Sequence, residues 1–262
     1  FIFILLIAIR VKPLVTNSNT ERYFIPALSA KLIGALALGF IYQFYYNGGD
    51  TFSYFNDAQR LSSSFFKDQE ATFRVFFYLD DNMDANFMAV RSGLWFYKDP
   101  ASFFVVRTVF ILGLLCFQSY GGIALLFAAI SFSGIWILYY SFCFLKPRLY
   151  KWFAYFILFM PSVVFWGSGI LKDTLCISAL GWFFYACYKI IYKNGITIYT
   201  GLILTVSVFF LVNLKVYILL CFFPAALYWF FLEKTNFSNQ NLKILVRPFL
   251  LILGLGVTVF AL

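Results

Sequence analysis

Residues Gly122–Leu145 read GIALLFAAISFSGIWILYYSFCFL and run into the basic stretch Lys146-Pro147-Arg148-Leu149-Tyr150-Lys151. An uncharged apolar run of this length crosses the hydrocarbon core of a bilayer as a helix. Comparable runs recur between short charged loops: Phe24–Tyr46, Trp152–Trp166, Ile170–Ile191, Ile196–Leu211, Val216–Leu232 and Leu245–Leu262. Phe1–Ile9 reads as the tail of one more. The chain is 63% hydrophobic and 12% charged, which excludes both an ordinary soluble domain and a disordered one. The pattern predicts an all-α polytopic transmembrane helix bundle, one integral membrane domain over 1–262 with about seven to eight spans. The first residue is Phe1 and both ends fall inside apolar runs, as expected for a piece of a longer protein.

The formal net charge is +9, but the basic residues sit between hydrophobic runs rather than on a soluble basic face. That pattern fits the positive-inside rule and argues against nucleic acid as a partner. The basic loops carry Arg10, Lys12 and Arg22, then Lys146, Arg148 and Lys151, then Lys189 and Lys193, then Lys234, Lys243 and Arg247. Of the 11 acids, eight fall between Asp50 and Asp99: Asp50, Asp57, Asp68, Glu70, Asp80, Asp81, Asp84 and Asp99. With the basic loops in the cytoplasm, segment 47–102 becomes an extracytoplasmic loop. Its aromatics alternate with charges, which suits amphipathic helices lying in the interface. The short apolar piece Phe103–Phe117 carries Arg107. A re-entrant or juxtamembrane placement keeps every basic loop on one side, so that thread is preferred to a crossing.

Histidine is absent, which removes histidine triads and histidine metal sites from this chain. Cys116, Cys143, Cys176, Cys187 and Cys221 lie in apolar runs without a CxxC pair, and read as small buried hydrophobes. Acid–base chemistry then falls to carboxylate, lysine or tyrosine.

Three constellations stand out. The first is Asn47-Gly48-Gly49-Asp50-Thr51-Phe52-Ser53-Tyr54-Phe55-Asn56-Asp57, just beyond a span. Its bland reading is a helix cap at Asp50, although Tyr54 and a second acid, Asp57, exceed what a cap needs. The second is Pro161-Ser162-Val163-Val164-Phe165-Trp166-Gly167-Ser168-Gly169-Ile170-Leu171-Lys172-Asp173. Lys172 and Asp173 stand alone between apolar runs, where ionisable groups either line a site or snorkel to the interface. The third is Asn213-Leu214-Lys215-Val216-Tyr217, in which Lys215 reads as a phosphate ligand or a membrane anchor. Arg107 has the same two readings.

The order of these features resembles the GT-C superfamily of membrane glycosyltransferases, which take sugars from polyprenyl-phosphate carriers. In that family a catalytic acid sits in the first outer loop, and Gly49-Asp50-Thr51-Phe52-Ser53-Tyr54 is similar to its acid-x-x-x-Tyr pattern. A second acid in a later outer turn corresponds to Asp173. The Pro161–Asp173 run also looks like segments of bacterial membrane proteins encoded near polysaccharide genes. The resemblance spans most of Phe24–Leu232. It implies a bacterial inner-membrane enzyme with an outward active face, taking a polyprenyl-linked sugar donor out of membrane lipid for cell-envelope polysaccharide synthesis. Asp50 would be the general base and Asp173 the second catalytic acid. Lys172, Lys215, Arg107, Tyr54 and Asp57 would bind substrate or phosphate. Some family members use Mg²⁺ or Mn²⁺ and others none, so the resemblance leaves metal use undecided. Competing classes are a polysaccharide polymerase or ligase, a transporter, and a non-catalytic subunit partnered with other membrane proteins.

Overall fold

The computed structural model describes residues 1–79, 84–192 and 197–234. Helices make up 83% of the described residues, and no strand forms among them. Asp80, Asp81, Lys193, Lys243, Arg247 and the apolar run Leu245–Leu262 lie outside the described residues. The helices are α1 (Ile2–Val15), α2 (Glu21–Phe44), α3 (Asp50–Phe65), α4 (Gln69–Phe76), α5 (Ala85–Ser92), α6 (Pro100–Leu115) and α7 (Tyr120–Leu145). They continue with α8 (Tyr150–Phe153), α9 (Pro161–Phe165), α10 (Lys172–Tyr192) and α11 (Ile198–Lys234). Contacts gather into two compact units, Phe1–Ser178 and Ala179–Leu262.

Among the described residues, four helices are long and apolar enough to cross a membrane: Glu21–Phe44, Tyr120–Leu145, Lys172–Tyr192 and Ile198–Phe231, the last taken across the break at Lys215. The expected tally of spans differs for identifiable reasons. The run Trp152–Trp166 is not one helix. It comprises α8, a π-helical turn at Ala154–Leu158 and the short α9. Pro161 forces the break, because the ring of a proline drives the preceding residue out of the helical region. Met160 accordingly sits extended at φ −61° and ψ 125°. The piece around Arg107 forms α6, which at 16 residues is shorter than a span.

In the first unit α2 and α7 pack along their length through Leu28, Leu32, Ala35 and Leu38 on one side and Ile123, Phe127, Ala128 and Ile135 on the other. Phe24 meets Phe132 and Trp136 edge-on, with ring centroids 5.1 and 4.7 Å away. Beside them α3 packs on α6. Helix α3 buries Thr51, Tyr54, Asp57, Ala58, Leu61 and Ser62 at helical spacing and leaves Asn56, Gln59 and Arg60 in the open. That is the amphipathic pattern expected of the 47–102 segment. Helix α6 is the apolar partner, burying Phe103, Val105, Val106, Val109 and Phe110.

A lysine governs how the broken segment seats. Lys31 lies midway along α2 and is 1% exposed. Its ammonium donates to Ser131 Oγ at 2.9 Å, to the Val163 carbonyl at 3.0 Å and to the Gly167 carbonyl. The two carbonyls belong to α9 and the turn after it, where a helix end leaves acceptors unpaired and favours a cation. Ser131 Oγ donates to the same Gly167 carbonyl at 2.6 Å. One turn along α2, Gly34 lets the backbone of Val164 approach so closely that an added Cβ would sit 2.2 Å from its carbonyl oxygen. Lys31 and Gly34 together dock the Pro161–Gly167 segment against α2 and α7.

In the second unit α11 breaks at Lys215, whose φ of −149° and ψ of 78° are not helical. Leu204, Val208 and Leu211 before the break pack in the same cluster as Ile218, Phe222 and Ala226 after it, around Ala179 and Phe183. The two arms therefore fold back on each other, close to the turn read at Asn213-Leu214-Lys215. They enclose an apolar pocket of 370 Å³ lined by Phe183, Cys187, Leu204, Leu219, Phe223 and Leu227, among others. All five cysteines are free; Cys143 and Cys176 are buried, Cys116 and Cys187 half-buried, and Cys221 is exposed, unlike the burial expected of it.

Lys31→Met leaves the Val163 carbonyl without its donor and the Gly167 carbonyl with Ser131 alone, and each buried group left unpaired costs about 1–3 kcal/mol. A marked fall in melting temperature of the detergent-solubilised protein is expected, and likewise for Gly34→Ala. An unchanged melting temperature in both variants would remove this docking role.

Candidate functional site

Three helices begin at one place in the first unit, and each carries an aspartate there. Helix α3 begins after Asn47-Gly48-Gly49, whose φ angles are 53°, 132° and 114°. This left-handed path suits glycine and, next best, asparagine. An added Cβ at Gly49 would also meet the Tyr42 ring at 2.8 Å. Gly49 is the cap residue and Asp50 the first residue of the helix; no side chain caps this end. Asp50 is exposed and makes no hydrogen bond or ion pair among the described residues. The bland reading of Asp50 as a hydrogen-bonding cap therefore does not account for it.

Helix α6 begins at Pro100, with Asp99 as its cap. The Asp99 carboxylate accepts from the Ala101 amide at 3.1 Å and from the Ser102 hydroxyl at 2.5 Å. It also accepts from Lys172 Nζ at 3.0 Å, across 73 residues of sequence. Burial raises the Asp99 pKa, but the Ser102 bond and the Lys172 bond and charge outweigh it, leaving the group below its ordinary value of 3.8. Helix α10 begins at Lys172 with Asp173 in its first turn. The turn before it is closed by Thr174 Oγ1, which donates to the Gly169 carbonyl at 2.7 Å.

Tyr54 lies where these helix starts meet. It is 3% exposed, and its ring packs on Phe96 with centroids 4.7 Å apart. Its phenol is pushed up to about 12, first by burial, against the lowering effect of a Ser102 hydrogen bond, and then by the charges of Asp50, Asp99 and Asp173. Three carboxylates from three segments thus act on one hydroxyl. A phenol held that high stays protonated through the physiological range, so Tyr54 is a hydrogen-bond donor there and not a base.

Of the residues singled out in the sequence, Asp50 and Asp173 lie near enough to Tyr54 for their charges to act on its phenol, and Lys172 is paired with Asp99. Asp57 sits on the same face of α3 but is 1% exposed and engaged. It accepts from the Phe96 amide at 2.9 Å and from Arg60 at 3.3 Å, so it fixes the loop that presents Asp99. Arg107 donates to the Phe76 carbonyl at 3.2 Å, and its guanidinium lies among the rings of Phe76, Tyr78, Phe103 and Phe104. It clamps the α4 end to α6. Lys215 belongs to the second unit. The sequence reading missed Asp99, Ser102 and Lys31. The signal for Asp99 was the Asp-Pro pair, a helix start in which the acid caps and proline takes the first turn.

Among the described residues no group of three or more His, Cys, Asp or Glu side chains is disposed to hold a metal ion. Asp99 is engaged by a hydroxyl and an ammonium. No protein-family model, curated protein or solved structure matches this chain.

Asp99→Asn is expected to lower stability at neutral pH by no more than about 1 kcal/mol, because the pair with Lys172 is half exposed and screened. The sign follows from the lowered pKa: the contribution is present above pH 3.8 and is lost as pH falls through the folded-state value. Melting temperatures of wild type and variant should therefore differ by a constant amount from pH 5 to 8 and converge only below the ordinary carboxylate range. A gap that closes near neutrality would contradict this.

Proposed function

We propose that this chain is a GT-C-like membrane glycosyltransferase that moves a sugar from a polyprenyl-(di)phosphate donor to a glycan, lipid or protein acceptor. The observation that carries the reading is that Asp50, Asp99 and Asp173, from three segments, all act electrostatically on the Tyr54 phenol, while Lys172 is paired with Asp99. The two segments that supply Asp50 and Asp173 are far apart in sequence and were singled out for their chemistry.

In the proposed reaction Asp50, exposed and unpaired, takes the proton of an acceptor hydroxyl as its oxygen attacks the anomeric carbon. The bond between that carbon and the phosphate oxygen breaks, and the electron pair leaves with the phosphate. Lys172 exchanges its Asp99 partner for the departing anion and stabilises the charge. Asp173 orients the acceptor, and Tyr54, protonated and bonded to Ser102, is a fixed neutral hydroxyl among the carboxylates. The bilayer supplies the lipid chain of the donor.

The proposed setting is the outward face of a bacterial inner membrane. Its support is the polarity of the α2–α7 pair. Asp50 follows the end of α2, and Thr51 shares a hydrogen bond of 2.8 Å with Tyr120 at the start of α7. At the other end Arg22 donates to the Tyr150 hydroxyl at 2.9 Å, beside the basic stretch that follows α7. Asp50 thus lies at the opposite end of these spanning-length helices from Arg22 and the basic stretch 146–151. A transporter would be favoured by a charge free in mid-span. Lys31 is in mid-span, but its three donors all find protein acceptors.

Asp50→Asn is expected to lower sugar transfer from polyprenyl-linked donors in isolated membranes by about 10²–10⁴-fold, the usual worth of a general base. Expression and melting temperature should stay at wild-type levels. Full transfer by this variant would eliminate Asp50 as the base.

A further inference from the structure

At the end of the bundle away from the three aspartates, the starts of α2 and the finish of α7 frame a second pocket of 360 Å³. Asn17, Asn19, Thr20, Tyr140, Cys143, Phe144, Pro147 and Tyr150 form its lining. One wall is rich in donors and the other is apolar. Asn17 Oδ1 accepts from the Asn19 amide at 3.1 Å, the Thr20 amide at 3.1 Å and the Thr20 hydroxyl at 3.0 Å, which orders the loop. The amide N–H groups of the Asn17 and Asn19 side chains donate to nothing among the described residues, and both residues are exposed. Tyr150 is fixed from two sides: Tyr139 donates to its carbonyl at 3.3 Å, and Arg22 to its hydroxyl.

The Arg22 guanidinium is held against Tyr150, a residue of the lining, at 5.3 Å from its ring and 4.8 Å from the Tyr23 ring. Lys146, Arg148 and Lys151 flank the pocket in sequence and are exposed, against one neighbouring acid, Glu21. No carboxylate lines the pocket. The positive end of α2 and the negative end of α7 meet here and offset each other, so the side chains set the sign. Phe144, Pro147, Cys143 and the Tyr140 ring supply the apolar wall, at the level where apolar helices give way to charge.

The geometry points to a binding site for the phosphate headgroup of an anionic phospholipid, with Arg22 and the two asparagines on the phosphate and glycerol and the α7 wall along the first carbons of the chains. Basic pockets between membrane helices take headgroups of this class. The site is separate from the sugar-transfer reading and stands or falls without it.

The test uses the purified full chain in detergent, with melting temperature followed against added dioleoyl phosphatidylglycerol, dioleoyl phosphatidylcholine or sodium phosphate. Phosphatidylglycerol should raise the melting temperature in a saturable way, and the other two should not. Arg22→Gln should weaken the midpoint of that effect about fivefold, the worth of one cation near an anionic headgroup. Asn19→Asp, an exposed substitution, should weaken it at least as much while leaving the lipid-free melting temperature alone, and it keeps the test decisive if Arg22→Gln fails to fold. Equal protection by phosphatidylcholine, equal protection by phosphate alone, or a wild-type midpoint in Asn19→Asp would each overturn the assignment.

Discussion

An ammonium group inside an apolar bundle must have every donor matched, because an unpaired charge there is among the costliest things a fold can hold. Lys31 meets that demand with acceptors from two other parts of the chain, a serine of α7 and two carbonyls of the broken segment. The constraint works in both directions. The segment around Pro161 has carbonyls that a continuous helix would have consumed, and Lys31 is the group that takes them. A straight helix through Trp152–Trp166 would leave the ammonium stranded. The break at Pro161 and the lysine in α2 are therefore one structural feature distributed over two places in the sequence.

That feature sets where α10 begins. With Gly167 held against α2 and α7, the short turn through Ser168–Leu171 delivers Lys172 to the head of α10, within reach of Asp99. Asp57 does the corresponding work for the other partner by accepting from Phe96 and steadying the loop before Asp99. The ion pair between Lys172 and Asp99 is thus supported from both sides by buried polar groups, although it is itself half exposed. The groups that position the pair are buried, while the pair itself keeps access to solvent.

Much of this was legible from residue types alone. Apolar runs of spanning length marked α2, α7 and α10, and the alternation of aromatics with charges marked 47–102 as a stretch of amphipathic helices. Asp50, Lys172 and Asp173 stood out because a charge beside an apolar run calls for a reason. Less legible were the effects that depend on a distant partner. Lys31 was hidden in a run whose average hydropathy stayed high. Asp99 looked like one more acid in an acidic loop until Lys172 arrived from 73 residues away. Asp57 and Arg107 have the composition of site residues, but their partners are the Phe96 amide and Arg60 for the one, and a carbonyl and four rings for the other. Whether Trp152–Trp166 would run straight turned on Pro161, whose effect on Met160 was local and readable, and on Lys31, whose effect was not.

The central claim is that the segments beginning at Asp50 and ending at Asp173 share one site at one end of the bundle. Site-directed cross-linking addresses it directly. In a variant whose native cysteines are replaced by serine or alanine, Asp50→Cys and Asp173→Cys are combined and treated with a short bifunctional maleimide in sealed vesicles. The account requires an intramolecular cross-link, and labelling of both positions from the same side of the membrane. Labelling from opposite sides, or no cross-link between two freely labelled positions, would contradict it.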